Sequence, residues 1–380
     1  MERDKLPVRV IHMAPLSTGG ISKLTVTIHK FLDKDKVQFD YLVFRNNKEF
    51  LEDEIIKLGG KKKLVDVGDV KNPLLKCIKK IVLMRNLFKN EKYDVVHVDA
   101  STPYDVIVAI AAKLAGIKTI IMHSHNNSFH KNIPLRDIFM GWYKKIMLFT
   151  VTDYFAISES SAHFMFPKSV LKKRNYYIVR NAIDTSDYIF SSSDRKKYRV
   201  ESGLTDKFVI GHIGRFVYQK NHDFIIDVFK QIHQQNSESV LLLIGEGPLQ
   251  SEIKTKVEKL GLSENVIFYG TTHNIRKPLL MMDVFIFPSR FEGLGIVAIE
   301  AQATGLLVAA ADTIVDEVNI TDCFQRIHGW NVNEWAESIC SFDYSKRKNC
   351  TDQVINAGYD IKQVAKFMQE FYIMNKRGLT

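Results

Sequence analysis

Val284-Phe-Ile-Phe-Pro-Ser-Arg-Phe-Glu-Gly-Leu-Gly-Ile-Val-Ala-Ile-Glu-Ala-Gln-Ala-Thr-Gly305 is the stretch on which the reading of this chain turns. Val284 to Phe287 is a short apolar run that reads as a buried strand. A glycine-rich bend follows at Gly293 and Gly295, then a helical run to Gly305. A helix that starts at a glycine bend presents free N–H groups to an anion such as a diphosphate. Two carboxylates, Glu292 on the bend and Glu300 inside the helix, stand in an E-x7-E spacing. Acids beside an anion repel it, so they must face something neutral, and sugar hydroxyls are donors suited to carboxylate acceptors. The segment therefore suits a molecule with a diphosphate in the middle and a sugar at both ends, a nucleotide-sugar. Taken alone, it also fits an ordinary strand–turn–helix unit with two surface acids.

Outward from this segment, strand-like and helical runs alternate along the whole chain. The strands read as Val8 to Met13, Phe39 to Phe44, Val95 to Val98, Thr119 to Met122 and Asp153 to Ile157, then Phe208 to His212, Val240 to Ile244, Val266 to Tyr269 and Leu307 to Ala310. Such alternation predicts an α/β protein with parallel sheets covered on both faces. The pattern pauses from Asn181 to Thr205, where Ser191-Ser-Ser-Asp and mixed charges read as a linker. The expectation is two Rossmann-like domains, 1–185 and 186–358, facing a central cleft. An amphipathic helical tail, 359–380, is expected to pack back onto the first domain. In such sheets ligands bind at the carboxyl ends of the strands.

The length of 380 residues suits two domains. The formal charge of +10 favours acidic partners such as nucleotides or an anionic membrane surface. Nucleic acid is not expected, because no base-reading motif is apparent. Cys77, Cys323, Cys340 and Cys350 show no C-x-x-C pair, which fits a reducing compartment. The charged N-terminus does not read as a signal peptide. Lys113, Gly116 and Lys118 interrupt the most apolar long stretch, so it does not read as a membrane span. The expected location is cytoplasmic, with any membrane contact peripheral, at the inner face.

The second half opens with Ile210-Gly-His-Ile-Gly-Arg-Phe-Val-Tyr-Gln-Lys-Asn-His222. A strand ends near Gly214, and Arg215 and Lys220 lie on the loop after it. A guanidinium and an ammonium at one strand end suit a clamp for two phosphates. Gly214-Arg215, Lys220-Asn221, Gly245-Glu-Gly247 and Phe287-Pro-Ser, with Glu292-Gly-Leu-Gly and Glu300-Ala, together resemble the retaining family-4 glycosyltransferases of the GT-B fold. Order and spacing agree over most of the second half. The first half matches more loosely, through Gly19-Gly20 and His123-Ser-His125-Asn126.

The resemblance implies an enzyme of capsule, exopolysaccharide or lipopolysaccharide synthesis that retains anomeric configuration. It implies that Arg215 and Lys220 hold the donor diphosphate, with backbone amides around Gly293, Leu294, Gly295 and Ile296. It implies that Glu300 binds the ribose and Glu292 the transferred sugar. Gly19 and Gly20 would let the backbone approach the donor, and His125 would reach the transferred sugar. The expected donor is a UDP-sugar, used as substrate rather than cofactor. The expected acceptor is a saccharide, free or on a polyprenyl diphosphate. Members commonly have Gly-Leu-Pro and then a Gly-Gly pair; here stand Gly305-Leu306-Leu307 and Ala311-Asp312-Thr313.

His123 and His125 raise the question of a metal. One H-x-H supplies two ligands, and no partner carboxylate is evident in the sequence, so no metal and no cofactor is expected. Asp33-Lys-Asp35 reads as solvated charge on a polar turn. Gly245-Glu-Gly247 lacks the third glycine of a dinucleotide fingerprint, with Gln250 in its place. Lys71 to Lys92 and Arg136 to Leu148 mix basic residues with apolar and aromatic ones, a pattern that suits a membrane surface or a core-facing helix with a solvated basic side. The rival readings are an epimerase or phosphorylase on the same plan, and a nucleotide-sugar-binding subunit without catalysis.

Overall fold

A computed structural model describes residues 6–14, 16, 20–126 and 136–377. The chain divides into two compact units. Unit 1 comprises Met1–Ala182 with Ile361–Thr380, and unit 2 comprises Ile183–Asp360.

Unit 1 contains strands β1 (Val8–Met13), β2 (Val37–Val43), β3 (Lys61–Leu64), β4 (Val95–Ala100), β5 (Thr119–Ser124), β6 (Asp153–Ala156) and β7 (Tyr177–Ile178). They form one parallel sheet in the order β3-β2-β1-β4-β5-β6-β7. Unit 2 contains β8 (Phe208–Ile213), β9 (Ser239–Ile244), β10 (Val266–Gly270), β11 (Val284–Phe287), β12 (Leu307–Ala311) and β13 (Phe324–Ile327). Their parallel order is β10-β9-β8-β11-β12-β13. Both sheets run outward in both directions from a reversal point, β1/β4 in unit 1 and β8/β11 in unit 2. Ligand crevices of doubly wound folds open at such points.

Side chains of each strand go alternately to two cores. In unit 2, Val209, Leu242, Phe285 and Val308 join one apolar cluster, and their neighbours Ile210, Leu241, Val284 and Ala309 join the other. A strand buried on both sides must be apolar at consecutive positions, which is why these runs were readable as strands. In unit 1 the second core is completed from the far end of the chain. Ile361, Val364, Ala365, Met368, Phe371 and Tyr372 of the helix Ile361–Arg377 pack with Phe39, Tyr41 and Phe155.

The stretch read as a linker is largely structured. Ser192–Glu201 is a helix, capped by Ser191 Oγ accepting from the Asp194 amide at 3.1 Å. It is held by charge rather than by an apolar stripe. Arg199 donates to the Met281 carbonyl at 2.8 Å and to Asp283 at 3.1 Å, and Arg195 donates to the Leu280 and Met282 carbonyls at 2.6 and 2.7 Å. Edge strand β3, Lys-Lys-Lys-Leu, also lacks an apolar run; lysines are common on edges because they discourage further pairing.

Among the described residues, no helix is long and apolar enough to cross a membrane. The helix Pro73–Glu91 leaves Leu74, Leu75, Ile78 and Val82 exposed, and the helix Arg136–Thr150 leaves Trp142, Leu148 and Phe149 exposed. The side chains of 136–139 lie outside the described residues.

Candidate active site

In unit 2 the loops after β8 and β11 meet at the reversal point of the sheet. Backbone and side chains knit them together. The Arg290 amide donates to the Gln219 carbonyl at 2.8 Å, Gln219 Nε2 donates to the Phe291 carbonyl at 2.9 Å, and Arg290 reaches Asn221 Oδ1 at 2.8 Å. Lys220 Nζ pairs with Glu292 Oε1, while Gln219 Nε2 lies 3.2 Å from Glu292 Oε2. The Lys220 ammonium also stands 5.4 Å from the centre of the Phe287 ring. The two residues assigned to diphosphate and to sugar are thus each other's partner in the unliganded protein. Arg215 is exposed on the same loop, with no ion pair among the described residues.

Gly295 caps the helix Ile296–Ala303, and its φ of +84° is one that side chains rarely adopt. A Cβ there would also come within 2.9 Å of the Phe287 ring. The bend therefore must be glycine, and it leaves the first amides of the helix pointing outward from the strand end. Leu294 is buried beneath it. Glu300, one helical turn further in, accepts from the Tyr188 hydroxyl at 2.7 Å. Burial and Glu300 push the Tyr188 hydroxyl well up, so it stays protonated as a donor. Thr313 Oγ1 donates to the Ser289 carbonyl at 2.6 Å and ties the loop after β12 to the same bend. Behind the loops, burial lowers His222 to about 4 and pushes His212 well below the usual value, so both rings are neutral.

In unit 1, Gly19 lies outside the described residues. Gly20 begins the helix Gly20–Phe31, and a Cβ on it would meet nothing within 4 Å among the described residues. His125 follows β5, and it does have a carboxylate beside it, contrary to the sequence reading. Its Nε2 lies 3.0 Å from Asp99 Oδ1 at the end of β4. Four imidazoles surround Asp99: His12 at 3.2 Å, His97 at 3.7 Å, His123 at 3.6 Å and His125 at 3.0 Å. Thr25 Oγ1 reaches Asp99 Oδ2 at 2.9 Å. The expectation of no nearby carboxylate failed because Asp99 is 26 positions away in sequence but in register with His123 across β4 and β5.

Two sets of side chains here have metal-ligating spacing, His12/His97/Asp99 and Asp99/His123/His125. Hydrogen bonds already engage both nitrogens of His97, to Tyr372 at 2.8 Å and His123 at 3.3 Å. They engage both nitrogens of His123 too, the second with the Val179 carbonyl at 3.3 Å. A metal in either set would have to break one of these bonds. Sequence reasoning missed His12, Thr25, His97 and Asp99. For His12, His97 and Asp99 the signal available was polar residues in otherwise apolar strands; Thr25, on the helix Gly20–Phe31, carried none. It missed Tyr188, Gln219 and Arg290 as well, which carry no such mark.

The family model described as Glycosyltransferase Family 4 matches residues 18–187, and that described as Glycosyl transferases group 1 matches 194–326. A Bacillus subtilis (strain 168) protein, EpsF, named as a glycosyltransferase, is 30% identical over 93% of this chain and 94% of its own. The chain belongs to the family-4 glycosyltransferases. It is similar also to an Escherichia coli enzyme named UDP-Gal:alpha-D-GlcNAc-diphosphoundecaprenol alpha-1,3-galactosyltransferase, at 24% identity over 79% of this chain and 80% of that one. The fold of this glycosyltransferase is that of Anabaena Alr3699/HepE, solved with UDP and glucose, with a TM-score of 0.72, 18% identity and coverage of 96% and 98% of the two chains. Both units are therefore those of a GT-B enzyme.

Proposed function

We propose that this glycosyltransferase moves a sugar from a UDP-sugar to a saccharide on a polyprenyl diphosphate, in synthesis of a cell-surface polysaccharide. The observation that carries the reading is the loop pair of unit 2. Arg215 and Lys220 after β8 and the amides at Gly295 and Ile296 after β11 supply positive charge at two adjacent strand ends, and Glu292 and Glu300 supply acceptors beside them. The E. coli relative is named for a UDP-sugar donor and a lipid-diphosphate acceptor, and the Anabaena structure for UDP and glucose.

Arg215 and Lys220 hold the departing diphosphate, and its stabilisation carries much of the rate. Lys220 turns from Glu292 to phosphate as the donor enters, which frees Glu292 for sugar hydroxyls. Glu300 takes the ribose, already held by Tyr188. His125 contacts the transferred sugar. With two cationic side chains at the diphosphate, transfer proceeds without a metal and survives EDTA. Configuration is retained by attack on the face the diphosphate leaves. The buried carboxylate beside His125, Asp99, has its two oxygens engaged by His125 and Thr25 and is not free as a nucleophile. The exposed apolar residues of the helices Pro73–Glu91 and Arg136–Thr150, among lysines, serve peripheral contact with an anionic membrane.

Calorimetry with UDP on two variants tests the assignment. Glu300→Gln weakens UDP binding, and Glu292→Gln leaves it nearly unchanged while cutting turnover of the whole donor, because a contact made only to the sugar is invisible to a ligand without one. Equal loss of UDP affinity in both would mean the roles are wrongly divided. Turnover of UDP-sugar without acceptor to an epimer would favour an epimerase instead.

A further inference from the structure

The hydrogen-bond wiring of the buried cluster in unit 1 fixes which nitrogens carry protons. The Val179 carbonyl can only accept, so His123 holds its proton on Nε2 and its Nδ1 is bare. His97 Nε2, 3.3 Å from that bare Nδ1, must then donate. The Nδ1 of His97 is left to accept from the Tyr372 hydroxyl at 2.8 Å. Both rings are neutral in this arrangement, and burial, the largest influence on each, pushes both well below the usual histidine range. Neither ring has a proton to spare for Asp99.

The donors to Asp99 are therefore few. Thr25 Oγ1 has one proton and two acceptors, Asp99 Oδ2 at 2.9 Å and the Ile21 carbonyl at 3.0 Å. His12 Nδ1 lies 3.2 Å from Oδ2 but makes no aligned hydrogen bond. His125 Nε2, 3.0 Å from Oδ1, is the firm donor. Burial alone would push Asp99 up, yet the imidazoles of His12 and His125 outweigh it and hold the carboxyl well below its usual range. Asp99 is an anion facing the Nε2 proton of His125. The remaining nitrogen of His125, Nδ1, is buried and has no partner among the described residues. Asp99 also lines a cavity of about 470 Å3 in unit 1, with Met13, Leu16, Ser101 and Asp105.

We propose that Asp99 is the positioning residue of His125: it holds the imidazole proton on Nε2, so that Nδ1 meets a sugar hydroxyl as a hydrogen-bond acceptor. This rests on the reading of His125 as a sugar contact. Asp99 touches no substrate in this role. It removes the second tautomer, in which Nδ1 would carry the proton and Nε2 would set a lone pair against a carboxylate. His97 and His123 form a neutral wall that keeps other protons away from Oδ1. Thr25 steadies the other oxygen.

Nitrogen-15 NMR of the imidazoles in the full-length protein decides the wiring, with the His125 signals assigned by their loss in His125→Ala. Wild type shows His125 as the Nε2–H tautomer, and Asp99→Asn spreads it over both. In the same variant kcat falls roughly 10²-fold, the scale of one preorganised polar group, while the affinity for UDP changes less than about twofold, since UDP carries no transferred sugar. A wild-type His125 with its proton on Nδ1, or with protons on both nitrogens, overturns the proposal even if Asp99→Asn fails to fold. An unchanged tautomer or unchanged kcat in a folded Asp99→Asn overturns it as well. Thr25→Val, which keeps the charge, retains the tautomer and loses only about fivefold in kcat, the worth of one ordinary hydrogen bond. Wild-type turnover by His125→Ala would instead sink the sugar-contact reading and the functional half of this proposal, with the spectrum still deciding the Asp99–His125 pair.

Discussion

In unit 2 the site residues come from two loops and one helix at the reversal point of the sheet, and they are partly open to solvent. In unit 1 the corresponding position holds His12, Thr25, His97, Asp99, His123 and His125, drawn from three strands and a helix and all buried. Unit 2 meets charge with charge, as in the Lys220–Glu292 pair. Unit 1 meets one carboxylate with imidazoles and a hydroxyl. A loop site can exchange its partners when a ligand arrives, because an incoming phosphate offers the Lys220 ammonium a second anion. A strand-end site of buried rings is set once, by folding, and can only present what its wiring leaves over.

The largest effects expected separate members of the loop site. Arg215→Ala and Lys220→Ala should each lose roughly 2–4 kcal/mol of transition-state stabilisation, read from kcat/KM. They should differ in stability. Arg215 is exposed and makes no ion pair among the described residues, so its removal leaves Tm unchanged. Lys220→Ala strands Glu292, whose side chain is only 7% exposed, and lowers Tm. Equal Tm values for the two would show that the pair contributes nothing to the resting fold.

A comparison of glycines comes next. Gly245, after β9, has φ +130°, and a Cβ would fall 2.2 Å from the Gly214 carbonyl oxygen. Gly245→Ala should cost about 2–4 kcal/mol in urea unfolding, from backbone strain and overpacking together, and should displace the loop that carries Arg215. Gly20→Ala meets no described residue within 4 Å and should change stability by under about 0.5 kcal/mol. Any large loss of transfer in Gly20→Ala then reports on ligand approach rather than on folding.

A pH titration tests the neutral histidines in both units. Burial lowers His29 in unit 1 and His222 in unit 2 to about 4 from an ordinary 6.5. A lowered histidine is neutral when folded and protonated when unfolded between those values, so the unfolded state binds the extra proton. Stability should be flat above pH 7 and fall as the pH drops from 6.5 toward 4, by about 1.4 kcal/mol per pH unit for each group. A Tm that does not fall between pH 7 and pH 5 would contradict neutral burial in either unit.

The legibility of the sequence follows the same division. Arg215, Lys220, Glu292, Gly295 and Glu300 were readable because a loop that must bend beside a helix start leaves glycines and charges at fixed spacing. The inner strands were readable because burial on two faces forces consecutive apolar residues, whereas the edge strands β3, β7 and β13 were not read. Asp99 was not, since its partner lies on another strand and only the sheet register brings them level. The helix Ser192–Glu201 was hidden because arginines and backbone carbonyls hold it where a stripe of apolar residues would have announced it. Tyr188 was hidden because its contact with Glu300 spans 112 positions.

The helix Ile361–Arg377 has a consequence for how the protein is made. Its Phe371 and Tyr372 seal a core whose other members, Phe39, Tyr41 and Phe155, belong to the first half of the chain. A ribosome adding 5–20 residues per second needs roughly 10–40 s to travel from β7 to that helix. All of unit 2 is synthesised in the interval. The part made first is thus finished last, waiting as a sheet with an open aromatic face while its younger neighbour folds, and that interval is when a chaperone has something to hold.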